Sequence, residues 1–194
     1  NDLILIFITN YNEPMKKILF VRHAKSSWAD IKLDDKQRPL NKRGKRDAPL
    51  MAARCVEYGL KVQLLISSPA VRAFATCLVF QDIYNLHTPI QVENHLFHGD
   101  ASNYEEALCG VNDNIDCVAI FGHNPGITYL ANELDSKIYI DNVPTAGVVI
   151  GEIDIEHWED FSVAKTVLKD LLYPKMLYNS DQLNRFSFSK FSVS

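Results

Sequence analysis

Cysteine is sparse in this 194-residue chain, and the four present, Cys55, Cys77, Cys109 and Cys117, show no CxxC spacing. That argues against a disulfide-stapled scaffold and against a thiolate zinc site. Three of them stand in apolar surroundings, the setting of buried reduced thiols, which leads to a cytoplasmic location as the expectation. Long hydrophobic runs are lacking too. The stretch from Leu3 to Ile8 is far shorter than the ~20 residues that cross a bilayer, and no basic segment precedes it, so neither a membrane partner nor a signal peptide is expected. An excess of positive charge is also missing: 20 Lys and Arg stand against 24 Asp and Glu, a net charge of -4. The chain therefore carries no electrostatic footprint for nucleic acid, and the basic cluster from Lys36 to Arg46 reads as a solvated face. Repeats and low-complexity tracts are absent. What remains is a chain of one-domain length, 47% hydrophobic, able to bury a core without staples.

The most informative segment present is KILFVRHAKSSW, from Lys17 to Trp28. Ile18 to Val21 are apolar in unbroken succession, the pattern of a strand buried on both faces of a parallel sheet. The run stops at Arg22 and His23. Ligands of open α/β sheets bind beyond the carboxyl ends of strands, so these two side chains fall where a site is expected.

A polar loop follows from Lys25 to Leu40, and Asn41 then caps a helix towards Tyr58 that Gly59 stops. Pro49 makes the first turns of that helix suspect. A second apolar strand, Val62 to Ile66, ends in Ser67, Ser68 and Pro69, read as strand end, N-cap and N1 of a helix reaching Leu86. Arg72 falls in its first turn and leans back towards the rim that holds Arg22 and His23. A third strand spans Ile90 to Glu93, with a loop from Asn94 to Ser102 and a helix from about Asn103 to Gly110. The fourth, Asp116 to Phe121, runs into GHNPG, where Asn124 and Pro125 repeat the N-cap and N1 pattern before a helix to about Leu134. Two last strands, Gly147 to Ile153 and Phe161 to Leu168, have no helix between them and form an antiparallel pair at one edge.

This alternation predicts an α/β fold: a three-layer α/β/α sandwich around a mainly parallel sheet with an antiparallel edge. Right-handed crossovers bring three strand ends to one side, so Arg22, His23, Arg72 and His123 converge. Two guanidinium groups and two helix N-termini make a pocket for a dianion. Phosphoryl transfer needs mostly positioning and charge stabilisation, which Arg22, Arg72 and His123 supply, leaving His23 as the in-line nucleophile.

RHAKSSW, SSPAVRAFAT and GHNPG, in this order, resemble the signature segments of the histidine phosphatase superfamily, with its phosphoglycerate mutase-like fold. RHAK with the following DDKQRPLNKRG is similar to the phosphohistidine phosphatase SixA branch, and the likeness spans roughly residues 16–177. The resemblance implies that His23 is the phosphorylated nucleophile, Arg22 and Arg72 the phosphate clamps, and His123 the histidine that stabilises the transferring group. It implies no cofactor and no metal. It also divides the chain into an extension at 1–14, a histidine phosphatase domain at 15–177 and a tail at 178–194, with Met15 reading like a natural start.

One departure matters. Relatives commonly carry a Glu in a Leu-x-Glu segment as general acid, and here Leu96, Phe97 and His98 occupy it. Either His98 donates the proton or the site has no dedicated acid. An alkoxide leaves poorly without a donor, whereas an imidazole leaves readily, its conjugate acid having a pKa of about 6.5. The expected substrate is therefore a protein phosphohistidine. A small-molecule phosphomonoester, or phosphate binding without turnover, are the alternatives. Ser26 can hydrogen-bond phosphate or shape its loop, and Arg38 can guide an anionic substrate or solvate the surface. His95 and His98 are three apart, but no ligand set completes a metal shell around them. Nothing in the sequence sets an oligomeric state.

Overall fold

A computed structural model of the chain describes residues 15–178. The expected extension at 1–14 and almost all of the expected tail at 178–194 lie outside the described residues. Six strands form one sheet, β1 (Met15–Arg22), β2 (Leu64–Ser67), β3 (Gln91–Val92), β4 (Cys117–Gly122), β5 (Val148–Asp154) and β6 (Val167–Leu172), in the order β3-β2-β4-β1-β5-β6. The first four pair in parallel, and β5 and β6 are antiparallel neighbours at one edge. Among the described residues five α-helices accompany them: α1 (Lys42–Glu57), α2 (Val71–Ile83), α3 (Ala101–Glu106), α4 (Gly126–Glu133) and α5 (Pro174–Tyr178).

The layering follows from strand alternation. Ile18 and Phe20 of β1, with Val118 and Ile120 of β4, pack into one cluster with Tyr104 of α3 and Ile127 and Leu130 of α4. Leu19 and Val21, with Ala119 and Phe121, face the other way onto Met51 of α1 and Cys77 and Phe80 of α2. Because both faces of these strands are covered, their sequences show no polar alternation. The three-layer sandwich is the fold expected from the sequence.

Several boundaries differ. Asn41 does cap α1, its side chain accepting from Gly44 N at 2.9 Å, and the helix runs without interruption through Pro49. The capping roles expected of Ser68 and Asn124 are not taken up: α2 and α4 have Ala70 and Pro125 as N-caps, with no side-chain cap. Ser68 Oγ is instead engaged by His123 Nε2 at 2.8 Å, and Asn124 Nδ2 donates to Asn142 Oδ1 at 3.0 Å. Ser68 Oγ also accepts a long bond from Ala70 N at 3.4 Å, and Asn124 Oδ1, the atom a cap would use, is buried without a hydrogen-bond partner. The helix expected from Asn103 starts at Ala101 and closes at Glu106, because Asp100 and Asn103 form a capping box. The last strand lies later than expected. Residues from Trp158 to Lys165 form two short 3-10 turns that bury Trp158 and Val163 in the core, so their apolar side chains mimic a strand signal.

Candidate active site

The parallel register of β1 on β4 pairs Arg22 with Gly122. The next residue of each strand, His23 and His123, therefore leaves the sheet beside the other, with ring centroids 5.0 Å apart. On the other side of β4, Ser67 pairs with Phe121, which sets Ser68 against His123. Gly122 is required where it stands. A Cβ there would run into the hydroxyl of Tyr104, which fills the space beneath the strand end.

His23 is held from both ring nitrogens. Its Nδ1 lies 2.7 Å from Ala24 O, and Arg72 Nε lies 3.1 Å from its Nε2. A carbonyl only accepts and a guanidinium only donates, so Nδ1 carries the proton and Nε2 presents its lone pair. Burial lowers the His23 pKa and the bond to Ala24 O partly opposes this. The charges of Arg72, Arg22 and Arg38 add to the fall, to about 4. His23 is thus a neutral imidazole at pH 7. His123 is lower still, through burial first and then the proximity of His23 and Arg72.

Arg72 reaches the pair from the first turn of α2, where Thr76 Oγ1 donates to Arg72 O and accepts from Ala24 N. That hydroxyl ties the backbone beyond His23 to the helix that carries the clamp. Arg22 Nη1 donates to Val143 O at 2.5 Å and to Asn142 Oδ1 at 3.2 Å. Its Nε is buried without a hydrogen-bond partner, as is His123 Nδ1. Such unsatisfied groups cost about 1–3 kcal/mol each.

The remaining expected residues fall into two groups. Ser26 and Arg38 are buried in the loop before α1, with Arg38 Nη2 donating to Ser26 Oγ at 2.5 Å and Nε to Ser27 O at 3.1 Å. Arg38 also stacks on the Trp28 ring, 3.3 Å from its centroid. His98 is exposed at the rim, its ring 4.2 Å from that of Phe97. Phe97, from the segment where relatives carry the acid, stands edge-on to His123 at 5.5 Å and 5.8 Å from the Arg72 guanidinium. His95 lies apart, 3.8 Å from Glu93. Among the described residues no three His, Cys, Asp or Glu side chains gather to hold a metal, and no helix is long and apolar enough to cross a membrane.

Asp35 was not anticipated at the site. Its Oδ2 accepts from Arg72 Nη2 at 2.8 Å, its Oδ1 from Arg38 Nη1 at 2.5 Å, and its backbone carbonyl from Arg72 Nη1. Burial pushes its carboxyl up, but the bonds and charges of Arg72 and Arg38 outweigh this and hold it below the usual carboxylate range. The sequence signal was an acid three residues before Arg38. A short connection between Leu86 and Asn103 suggests an open cleft, yet His23, Arg72 and His123 expose only 9%, 6% and 7% of their surfaces.

Paired histidines and two arginines thus stand at the carboxyl edge of the parallel strands, a cationic arrangement chemically suited to an anion. The model of the histidine phosphatase superfamily (branch 1) matches residues 18–107, and over that stretch the chain is similar to that superfamily. Over 61 residues, 31% of this chain, it is 41% identical to an uncharacterized chloroplastic protein of Arabidopsis thaliana, and the match spans 28% of that relative's length. The fold is similar to that of the protein histidine phosphatase SixA complexed with tungstate, with a TM-score of 0.71 and 21% identity over 83% of this chain and 99% of that one. An Agrobacterium tumefaciens protein assigned as phosphohistidine phosphatase SixA matches with a TM-score of 0.68 and 22% identity, covering 82% and 98%. A mycobacterial glucosyl-3-phosphoglycerate phosphatase shares the fold more distantly, with a TM-score of 0.56 and 14% identity over 80% and 97%.

Proposed function

We propose that this protein is a metal-independent phosphatase that works through a phosphohistidine on His23 and acts on protein phosphohistidine. The observation that carries the reading is the His23 ring, with Nδ1 tied to Ala24 O and the unprotonated Nε2 beside Arg72 and His123, its lone pair accepting from Arg72 until a phosphoryl group takes that place. In the first step that lone pair forms a bond to phosphorus while the bond to the leaving nitrogen breaks. The departing imidazole, protonated from solvent on its second nitrogen, keeps the electron pair and leaves as the neutral ring. Arg22, Arg72 and His123 supply hydrogen bonds and charge to the equatorial oxygens. Water then attacks phosphorus, the bond to Nε2 breaks with its electron pair returning to the ring, the water proton passes to solvent, and inorganic phosphate leaves.

The preference for nitrogen-linked phosphate rests on the proton inventory. Asp35 is held ionised by two guanidinium groups and is a poor proton donor. Exposed His98 is the proposed acid for substrates that need one. An imidazole leaving group depends least on it. Buried Cys55 and Cys117, whose thiols burial pushes up to about 12, suit a reducing compartment, and the cytoplasm is the proposed location.

The test is to trap the intermediate. Labelled phosphoramidate should leave an acid-labile, base-stable phosphoryl group on the wild type and none on His23→Ala. Hydrolysis of a phosphohistidine peptide should then exceed that of sugar phosphates and p-nitrophenyl phosphate. The absence of any adduct on the wild type would reject catalysis in favour of phosphate binding alone, and faster turnover of sugar phosphates would favour a small-molecule phosphatase.

A further inference from the structure

Arg72 is a long side chain whose useful orientation is one of many, and a single loop residue fixes it. Of its five N–H donors, the one on Nε meets His23, and one from each terminal nitrogen meets Asp35, by carboxylate and by backbone carbonyl. Two donors remain. Asp35 is itself braced, because Arg38 grips its other oxygen while Ser26, Ser27 and the Trp28 ring hold Arg38. The loop before α1 thus forms a continuous chain of contacts from Trp28 through Arg38, Asp35 and Arg72 to the nucleophile.

We propose that Asp35 is the positioning residue for Arg72: it holds the guanidinium plane beside His23 so that two N–H groups stay available to phosphoryl oxygens when the Nε2 lone pair turns from Nε to phosphorus. The proposal deepens the phosphatase reading and rests on it. Physical chemistry attaches a specific cost. A carboxylate beside an anion site repels the anion, so Asp35 weakens phosphate binding while it improves the alignment of the clamp for transfer. Removing it should therefore shift binding and rate in opposite directions.

The experiment uses the full chain and measures two quantities for the wild type, Asp35→Ala and Asp35→Asn: the dissociation constant of inorganic phosphate by calorimetry, and the rate of phosphoenzyme formation from labelled phosphoramidate. Asp35→Ala should bind phosphate several-fold more tightly yet form phosphoenzyme roughly tenfold or more slowly. Asp35→Asn, which keeps the backbone carbonyl contact and one side-chain acceptor, should fall between. In an Arg72→Lys background, where no planar fork can be held, Asp35→Ala should cost little further rate.

Tighter binding with an unchanged or faster rate would make Asp35 a mere electrostatic competitor and overturn the proposal. Loss of both quantities in step with a lowered Tm would overturn it in favour of a purely structural role. If the wild type itself forms no phosphoenzyme, the phosphatase reading fails and the proposal falls with it. A wild type that is labelled normally, beside an Asp35→Ala of equal rate, overturns the positioning role alone.

Discussion

Arg72 Nε donates to His23 Nε2 across 3.1 Å, joining residues 49 positions apart in the chain. The contact places a permanent charge against the atom proposed as nucleophile, and with the Ala24 carbonyl on the opposite nitrogen it leaves one tautomer. Burial does most to keep the imidazole neutral and the Arg72 charge adds to it, while the same charge is well placed to meet phosphoryl oxygens. The bond belongs to the resting state: it occupies the Nε2 lone pair and gives way when that pair turns to phosphorus.

Replacing that guanidinium should show how much its geometry matters. Arg72→Ala is expected to lower kcat/KM on a phosphohistidine peptide by roughly 10²–10³, the range for removing one transition-state donor. Arg72→Lys should recover little, since an ammonium cannot address His23 and Asp35 in one plane. Steady-state kinetics of the two variants decide it, and a Lys variant near wild-type rate would mean that charge alone suffices.

The depressed histidines predict a pH dependence of stability. Unfolded His has a pKa of about 6.5, whereas folded His23 titrates near 4 and His123 below that. Between those values the unfolded chain binds more protons, so stability is full above pH 6.5 and declines as pH falls towards 4. His157 runs the opposite way because Asp113 raises its pKa, but both are fully exposed and the pair is minor. Urea midpoints should drop between pH 7 and pH 4.5, and less so in His123→Gln. A midpoint that stays level over this interval would refute the assignment of neutral, buried rings.

Packing beneath the site makes Gly122 intolerant of a side chain. Gly122→Ala forces a methyl group into the Tyr104 hydroxyl and should cost about 1–3 kcal/mol. Adding Tyr104→Phe removes the first obstruction, although the ring carbon behind it would still be only 3.0 Å away, so recovery should be partial. Denaturant melts of both variants test this, and strict additivity of the two changes would show that the residues do not collide.

His98 should matter only when the leaving group needs a proton. His98→Ala is expected to slow turnover of alkyl phosphates and flatten its pH profile while leaving phosphohistidine peptide almost untouched. Equal losses on both substrates would assign His98 to binding rather than proton transfer, and no loss on either would leave the site without a dedicated acid.

Much of the arrangement is legible in the chain because it depends on local pattern. The apolar block at Ile18 to Val21 can only be a strand covered on both faces, and Arg22 and His23 must then sit at its end. Ser68 and Asn124 show where such reading fails. Each follows a strand and precedes a helix, the signature of a cap, but Ser68 Oγ is shared between His123 and Ala70 N, and Asn124 turns its Nδ2 to the Asn142 side chain and the Val143 carbonyl. The Trp158 to Lys165 stretch fails for a related reason, since burial of Trp158 and Val163 needs apolar residues without needing a strand.

The sequence by itself determined the alternation of strands and helices, the layering and the four polar residues at strand ends, because burial on both faces and abrupt polarity are written in neighbouring residues. The tertiary structure alone decided three things: the register that sets His23 beside His123, the tautomer imposed by Ala24 and Arg72, and the seat of Asp35 between two arginines. Each of these depends on distances between segments far apart in the chain. Local propensity carries no information about them, whereas close packing fixes them to within a bond length.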